Sequence, residues 1–415
     1  MERPTGREGL LDTSIPIYED PCFTAPSLKK HNVIVVHRPR RNKFSYYDIL
    51  IVFGLVFLLS LTGRCIYKNF LYKTPKFLDE LKSEASNIAR ASQDVVEDVE
   101  GRFEEYLREF QNELKGMTNE IKEMKKNAFE ENWREIEKLK NAFDGRTEFG
   151  LNKFSHMTED ELKRYLIPSG FPKPRYLETA KPFDTAPGYV IDQDLKRPEQ
   201  FDWRKVGAVT GVKDQGQCGS CWAFAIVGVV EAQNKIFNHK LVPLSEQELM
   251  DCDHRDNGCG GGFRGWGFEF VKNTGLVAEQ NYSYQAMVGQ CKLPMRDQTR
   301  VFVDEIYSFD GDEEEMADWV ATKGPITIGV NVTRGMFAYK SGVFDPTPED
   351  CAQNSLGSHA MAVIGYGTQN GERYWLLKNS WGPAHGEAGY IRMKRGVNSC
   401  GFGNNVYTAL ITKHH

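Results

Sequence analysis

A strong excess of charge of one sign is missing from this 415-residue chain, whose 52 Lys and Arg residues nearly balance its 57 Asp and Glu residues. The formal net charge of -5 gives no sign of a basic binding surface, so we expect no nucleic-acid partner. Cysteine is scarce in the first half, where Cys22 and Cys65 alone precede Cys218. The other seven lie from Cys218 to Cys400, and this odd number predicts three disulfides and one free thiol in an oxidising compartment.

Long hydrophobic runs are also missing, with one exception near the N-terminus. Residues 49–61 are almost all apolar, and with their flanks they predict a transmembrane helix over residues 46–64. A cleaved signal peptide is the alternative, but about 45 residues precede the span and no small-residue cleavage site follows it. Basic residues are concentrated before the span, so we expect a cytosolic tail over residues 1–45 and a lumenal or extracellular C-terminal part.

Proline and glycine are rare between residues 75 and 141, where charged residues dominate. We expect a helical stalk over residues 65–125. Apolar residues recur in steps of four and three, as is typical of a helix with one apolar stripe; they are Phe103, Leu107, Phe110, Leu114, Met117, Ile121, Met124 and Ala128. The stripe fits self-association of the stalk or, as we favour, one amphipathic helix packing on the next domain. Five prolines between residues 168 and 187 then predict an extended linker.

The residues that can carry chemistry lie in the second half of the chain. Cys221 opens an apolar run that predicts a helix, and the positive end of a helix dipole favours the thiolate of a cysteine at its N-terminus. Such a nucleophile needs a partner for proton transfer, and histidine is the usual one. His359 leads into a strand-like apolar run. Asn379 lies in a later segment with Trp381, where an amide could orient an imidazole.

The run Cys218-Gly-Ser-Cys221-Trp222, with a histidine and an asparagine well downstream, resembles the papain and cathepsin L-like family of cysteine proteases. The resemblance covers residues 197–415 and, more weakly, residues 129–162. It implies a papain-like α+β fold with a helical half and a β-rich half on either side of the active-site cleft. It also implies a peptidase domain over residues 197–415.

The resemblance assigns a role to each candidate catalytic residue. Cys221 attacks the peptide carbonyl, His359 exchanges protons with the thiol and the leaving amine, and Asn379 holds the imidazole ring. Gln215 and the backbone N–H of Cys221 form the oxyanion hole. The family's substrate cleft further implies contacts from Gly261 and Gly262 in a glycine wall, from Trp381, and from Asn405. The last lies at the floor of the main specificity pocket, where an apolar substrate residue is usual. The glycines could equally form a turn.

The same resemblance implies three disulfides, Cys218–Cys259, Cys252–Cys291 and Cys351–Cys400, and leaves Cys221 unpaired. A zinc site at Cys252, Cys259 and His254 is the alternative. We disfavour it because these residues are not spaced as the repeated ligand pairs of structural zinc sites. We expect no metal and no cofactor. Asn281 and Asn331 begin sequons and are candidates for glycosylation, although such triplets also arise by chance.

An inhibitory propeptide with its linker is expected over residues 126–196. Phe129, Asn132 and Ile136 match part of the family's helical motif, while Ile121 and Lys125 replace its usual Glu and Arg. Gly150, Asn152 and Phe154 match the second motif, in which His156 replaces an aspartate. We therefore expect propeptide release in acid, with a midpoint set partly by His156, and cleavage near Lys196–Arg197.

His385 replaces a tryptophan usual in the family. We expect a solvent-facing ring there, and an effect on the pH profile is the less favoured alternative. No inserted loop of the exopeptidase kind lies near residues 252–262, so the expected activity is that of an endopeptidase. A catalytically silent binding scaffold is disfavoured because every catalytic residue is present, whereas a peptide ligase would share them all.

The expected partners are protein and peptide substrates, the chain's own propeptide and, by family resemblance, cystatin-like inhibitors. A type II anchor joined to a propeptide resembles the membrane-bound cysteine proteases of apicomplexan parasites. That resemblance implies an acidic endolysosomal or digestive-vacuole compartment for the catalytic domain.

Overall fold

The computed structural model describes residues 100–110, 116–171, 177–188, 197–293 and 297–414. The predicted tail, the predicted membrane span and the first part of the predicted stalk lie outside these residues. Within the described ranges, no helix combines the length and the apolar character needed to cross a bilayer.

Helices occur in both the propeptide region and the enzyme. Residues 100–109 are helical. The later helices are α1 (Asn119–Phe143), α2 (Glu159–Lys163), α3 (Cys221–Asn238), α4 (Glu246–Cys252), α5 (Arg264–Thr274), α6 (Glu313–Thr322), α7 (Arg334–Ala338) and α8 (Pro348–Gln353).

Most of the strands belong to one large sheet. They are β1 (Thr147–Phe149), β2 (Lys181–Pro182), β3 (Phe201–Asp202), β4 (Leu276–Val277), β5 (Arg300–Val301), β6 (Glu305–Phe309), β7 (Ile326–Val332), β8 (Tyr339–Phe344), β9 (Gly357–Gln369), β10 (Glu372–Lys378), β11 (Tyr390–Lys394) and β12 (Val406–Leu410). Among the described residues, the sheet order is β1-β8-β11-β10-β9-β7-β12-β6-β2, with β3 paired to β9. Strand β1 precedes the predicted peptidase domain in the chain, so the predicted propeptide adds an edge strand to the sheet of that domain.

The apolar stripe does not form one helix, which corrects the expectation of a single amphipathic helix. The helical segment 100–109 ends before Gly116, whose φ of +85° is a left-handed conformation that glycine adopts without strain. Thr118 then caps α1 by accepting a hydrogen bond from the N–H of Ile121. Phe103 packs against Phe129 of α1, with ring centroids 5.1 Å apart, whereas Ile121 is exposed. Helix α1 also continues past residue 125, the predicted end of the stalk.

Helix α3 is the central helix of the enzyme. Its apolar residues are buried almost all the way round, as expected of a helix inside a core rather than on a surface. It packs against β9 and against α5. Because Cys221 is its first residue, this packing fixes the thiol at the helix N-terminus, beside the sheet.

The sheet brings the two other predicted catalytic residues together. His359 lies in β9, and Asn379 directly follows β10. These strands are antiparallel neighbours, with Ala362 opposite Lys378, so the start of β9 and the end of β10 meet at the same place. Residues far apart in the chain thus reach one site through ordinary strand pairing.

Candidate active site

Cys221 lies against the strand that carries His359. Its Sγ atom accepts a hydrogen bond from the backbone N–H of Ala360, at 3.3 Å. Ala360 directly follows the histidine, so the thiol and the imidazole are neighbours across the junction of α3 and β9. Both side chains are fully buried. Within the part of the chain that the structure describes, Cys221 is the free cysteine.

His359 is held in a defined tautomer. Its Nε2 atom lies 2.7 Å from Oδ1 of Asn379, and because an amide oxygen only accepts, Nε2 carries the proton and donates it. The Nδ1 atom is therefore the nitrogen that can take up a proton. It is buried and has no hydrogen-bond partner among the described residues. An imidazole oriented in this way can act as a base towards a thiol.

His385 is not a solvent-facing ring, which corrects the expectation from the sequence. It is 2% exposed and packs edge-on against Trp381, with centroids 4.9 Å apart. Its Nε2 atom donates to the carbonyl of Met336 at 3.0 Å, since a carbonyl only accepts. In the neutral ring, Nδ1 then accepts from Nδ2 of Asn379 at 3.3 Å. Burial lowers the pKa of His385 to about 3, which keeps the ring neutral.

Ser380, which follows Asn379, fixes the orientation of the Gln215 side chain. The backbone N–H of Gln215 donates to the carbonyl of Ser380 at 2.8 Å, and the hydroxyl of Ser380 donates to the Oε1 atom of Gln215 at 2.6 Å. The amide nitrogen is thereby turned the other way, where it donates to the carbonyls of Tyr165, at 2.8 Å, and Cys218, at 2.7 Å. The side chain can therefore present N–H groups to a peptide carbonyl near Cys221.

The propeptide fills the cleft that these residues face. Tyr165, whose carbonyl binds Gln215, precedes Ile167, which exchanges two backbone hydrogen bonds with Ser358 at 2.8 and 3.0 Å. On the opposite side, Ile167 and Phe171 lie so close to Gly261 that a Cβ atom there would be 2.7 Å from Ile167. Residues 165–171 thus lie between the glycine-rich turn and the strand of His359 and cover the cleft that the resemblance implies.

Burial keeps the thiol and the imidazole uncharged in this precursor. It raises the pKa of Cys221 to about 11, against smaller opposing effects of the Ala360 N–H and the Arg264 charge. It lowers the pKa of His359 to about 4, although the bond to Asn379 favours the charged ring. The sequence predicted a thiolate from the helix dipole. In the covered cleft, desolvation opposes that effect and favours the uncharged thiol and imidazole.

The predicted substrate-contact residues have different surroundings. Gly262 packs its Cα against the indole of Trp222, where a Cβ atom would come within 2.3 Å, so its lack of a side chain is a packing requirement. Trp381 is buried beside His359, with ring centroids 4.6 Å apart. Asn405 adopts a left-handed φ of +58°, and its carbonyl accepts a hydrogen bond from Arg264 at 2.5 Å. Arg264 was not among the predicted site residues, although a lone basic residue in an apolar run was the available signal.

The cysteines form the three pairs that the resemblance implied, Cys218–Cys259, Cys252–Cys291 and Cys351–Cys400. The first lies beside Cys221 and ties the start of α3 to the glycine-rich turn. The candidate glycosylation residues Asn281 and Asn331 are both exposed.

The two propeptide motifs bind each other, and the second also binds the enzyme. Asn132 of α1, in the first motif, donates to the carbonyls of Ser155, at 3.1 Å, and Met157, at 2.9 Å, which belong to the second. Asn152 donates to the carbonyl of Phe337 in the enzyme, at 2.7 Å. Phe154 packs on Trp381 with centroids 5.3 Å apart, so the second motif covers the ring beside His359.

Comparison with known proteins agrees with this arrangement. The family model described as papain family cysteine protease matches residues 197–410. The family model described as cathepsin propeptide inhibitor domain (I29) matches residues 103–162. The chain belongs to the papain family of cysteine proteases. The inhibitor match begins inside the segment 65–125 that the sequence assigns to a stalk.

Relatives of this papain-family chain include plant and animal enzymes. It is 40% identical over 278 residues to cysteine endopeptidase RepA of Oryza sativa subsp. japonica, covering 66% of this chain and 72% of the relative. It is 39% identical over 268 residues to cathepsin S of Bos taurus, covering 62% and 76%. The structure of digestive procathepsin L2 from Tenebrio molitor larval midgut matches with a TM-score of 0.69 and 30% identity, covering 75% of this chain and 100% of that chain. The predicted function, a cysteine endopeptidase made as a zymogen and activated by propeptide removal, is confirmed.

Proposed function

We propose that four residues of this endopeptidase perform the hydrolysis: Cys221, His359, Asn379 and Gln215. The observation that supports these roles best is the position of the Tyr165 carbonyl on the amide of Gln215. In the precursor, the backbone carbonyl of Tyr165 accepts from the same amide that we assign to the oxyanion hole. A substrate carbonyl bound by this amide would take the place of that propeptide carbonyl.

The acylation step follows from the tautomer of His359. Once the propeptide leaves, water reaches the cleft and the proton of Cys221 moves to Nδ1 of His359. The sulfur then attacks the substrate carbonyl carbon, and the Gln215 amide and the Cys221 N–H stabilise the oxyanion. The C–N bond breaks as Nδ1 returns its proton to the leaving amine, and a thioester remains on sulfur.

Deacylation uses the same groups in reverse order. Nδ1 of His359 takes a proton from water, and the oxygen attacks the thioester carbonyl. The C–S bond breaks, the product acid is released, and the proton returns to the thiol. Asn379 holds the ring in one plane throughout through its bond to Nε2. A ligase would let an amine replace this water, so product masses separate the two activities.

The precursor's location is part of the same proposal. It is a single-pass type II membrane protein anchored by residues 46–64, with the catalytic domain in the lumen of an acidic endolysosomal or digestive compartment or outside the cell. Three disulfides and two exposed sequons, Asn281 and Asn331, support an oxidising compartment. Substrates are proteins and peptides, cystatin-like proteins are inhibitors, and the overall plan resembles that of the membrane-bound cysteine proteases of apicomplexan parasites.

The test uses the whole precursor, processed in acid, and a thiol-directed epoxide. We expect the epoxide to alkylate Cys221 of the processed enzyme and to abolish peptide hydrolysis. Gln215→Ala should still be labelled but should lose about 10²-fold or more in kcat, the usual cost of one oxyanion donor. Equal kcat for Gln215→Ala and the unmodified enzyme would contradict the oxyanion role, and hydrolysis by Cys221→Ala would contradict the nucleophile.

A further inference from the structure

Arg264 is a buried cation that makes few hydrogen bonds within the described residues. It is the first residue of α5, two positions after Gly262, and it is 5% exposed. Its one hydrogen bond within the described residues goes from Nη2 to the carbonyl of Asn405, at 2.5 Å. The buried Nε atom has no partner there. A guanidinium has five N–H donors, and the buried donor on Nε is left without an acceptor among the described residues.

No carboxylate of the described residues lies within ion-pair distance of Arg264. Other partly buried arginines of the enzyme are paired, such as Arg300, whose Nη2 atom lies 2.5 Å from Glu248. A buried charge without a partner is costly, and such groups are normally paired or hydrogen-bonded. Burial lowers the pKa of Arg264 to about 10, which still leaves the group protonated in acid and at neutral pH.

The guanidinium of Arg264 lies beside Gly329 of β7, the strand that pairs with the strand of His359, and beside Asn405. Its Nη1 and Nη2 atoms are 3.0 and 3.1 Å from the place that a Cβ atom would take on Gly329, so the missing side chain there leaves room for the cation. Gly329 is half-buried and precedes Val330, which is paired with His359 in the sheet. Asn405, its bonded neighbour, is the residue expected at the floor of the specificity pocket.

The propeptide does not neutralise this cation. The segment that crosses the cleft, residues 165–171, reads Tyr-Leu-Ile-Pro-Ser-Gly-Phe and contains no acidic residue. Among the described residues of the precursor, the charge therefore has no ion-pair partner while the cleft is covered. A substrate that brings a carboxylate would make an interaction that the propeptide cannot make.

We propose that Arg264 makes this pocket select an acidic side chain, Glu or Asp, from the substrate. We take the residue concerned to be the one immediately before the residue whose carbonyl Cys221 attacks, because the family resemblance implies that Asn405 lies at the floor of the pocket for that side chain. A carboxylate can accept two parallel N–H bonds from a guanidinium, and such charge-assisted pairs are the strongest hydrogen bonds available there. The inference rests on the proposed function and adds its substrate class.

The test compares fluorogenic peptides that differ only at this position, carrying Glu, Gln, Leu or Met, with the residue at the scissile carbonyl held constant. At pH 5.5, where Glu is ionised, we expect kcat/KM for Glu to exceed that for Gln about tenfold or more. Glu and Gln have nearly the same shape, so their ratio isolates the charge. The advantage should shrink as the pH falls below about 4.3, where the Glu carboxylate becomes protonated.

The matched variant is Arg264→Met, which keeps the length of the side chain without its charge. We expect it to lose the Glu preference and to favour Leu and Met, with rates referred to the active enzyme titrated by the epoxide. A Glu-to-Gln ratio near one in the unmodified enzyme overturns the inference even if Arg264→Met does not fold. A ratio unchanged by Arg264→Met also overturns it. If Leu peptides are cleaved without any Glu preference, the proposed function stands; if no peptide is cleaved and Cys221 is not alkylated, both fail.

Discussion

The amide of Asn379 lies between two histidines, and its orientation decides which tautomer of His359 is present. Oδ1 accepts from His359, and Nδ2 donates to Nδ1 of His385. If the amide turned over, Nδ2 would face the proton on Nε2 of His359, and both groups would lose a partner. His385 is therefore a positioning residue, which acts on the imidazole of His359 through Asn379.

Replacing His385 by Leu should lower kcat about tenfold with little change in KM, because one hydrogen bond that orients Asn379 is lost. His385→Gln offers an amide oxygen as acceptor and should restore part of the rate. The burial of His385 lowers its pKa to about 3, so the neutral acceptor is present above that pH and is lost as the pH falls through it. In the precursor, where Phe154 of the propeptide covers this ring, the acceptor is therefore neutral in mild acid and at neutral pH.

The control is His254→Leu, since His254 is an exposed histidine of the same domain. Steady-state kinetics from pH 3 to 8 on one peptide separate kcat from KM for each variant. Unchanged kcat in His385→Leu would show that the ring only fills space. Loss in both His385→Leu and His254→Leu would point to general destabilisation instead.

At the scale of elements, α1 and the enzyme helix α7 are joined by one arginine. Arg334 donates from Nη1 to the side-chain oxygen of Asn132, at 2.6 Å, and from Nη2 to Glu159, at 2.8 Å. Asn132 in turn holds the carbonyls of Ser155 and Met157. Arg334 thus orients the amide that connects the propeptide helix to its second motif.

Arg334→Ala should weaken the hold of the propeptide by about 1–2 kcal/mol, the usual worth of a partly buried hydrogen bond from a charged group. The precursor should then be processed about 5- to 30-fold faster at a fixed, mildly acidic pH. Arg134→Ala is the control, because Arg134 lies on the exposed face of α1 and pairs with Glu130 of the same helix. Processing followed on gels should be equal in Arg134→Ala and the unmodified precursor, and equal rates in all three would remove Arg334 from the inhibitory contact.

Features that depend on contacts between residues close together in the chain can be predicted from the sequence, whereas features that depend on contacts between distant residues cannot. Helix α3 and the strand after His359 are visible in local apolar runs, and the order of the catalytic residues is visible in the family motif. The break in the apolar stripe was signalled only by Gly116 and Thr118, because steps of three and four continue across it. The burial of His385 depends on Met336, 49 residues away, and the position of Arg264 depends on Asn405, 141 residues away. No local pattern contains contacts of that kind.

At the scale of the whole molecule, we expect His156 to couple the folded propeptide to pH. It is 3% exposed, and its Nδ1 atom lies 2.5 Å from the hydroxyl of Tyr106, which also reaches the carbonyl of Asn152. Lys125 and Glu161 form an ion pair beside it, at 2.5 Å. Burial and, to a smaller extent, the charge of Lys125 lower the pKa of His156 to about 4, while Glu161 opposes the shift.

The direction of the effect follows from that pKa. A histidine whose pKa falls from 6.5 to about 4 on folding contributes its full stability above pH 6.5 and loses it as the pH falls towards 4. The loss amounts to about 3 kcal/mol when the ring is fully protonated. Acid should therefore loosen the propeptide here by charging a buried ring, whereas the aspartate usual in the family would lose its charge instead.

His156→Gln removes this titration while keeping a polar side chain of similar reach, so propeptide release should need a lower pH, by about one unit. His156→Asp places a carboxylate beside Lys125 and Glu161. Because this group loses its charge in acid whereas the histidine gains one, we expect the pH midpoint of propeptide release to change in this variant too. The substrate in each case is the precursor carrying Cys221→Ala, cut by a constant amount of processed enzyme, so that the pH dependence of the catalyst cancels between variants. His414→Gln, at an exposed histidine, is the control. Identical midpoints for His156→Asp, His156→Gln and the unmodified precursor would show that acid activation is controlled elsewhere in the molecule.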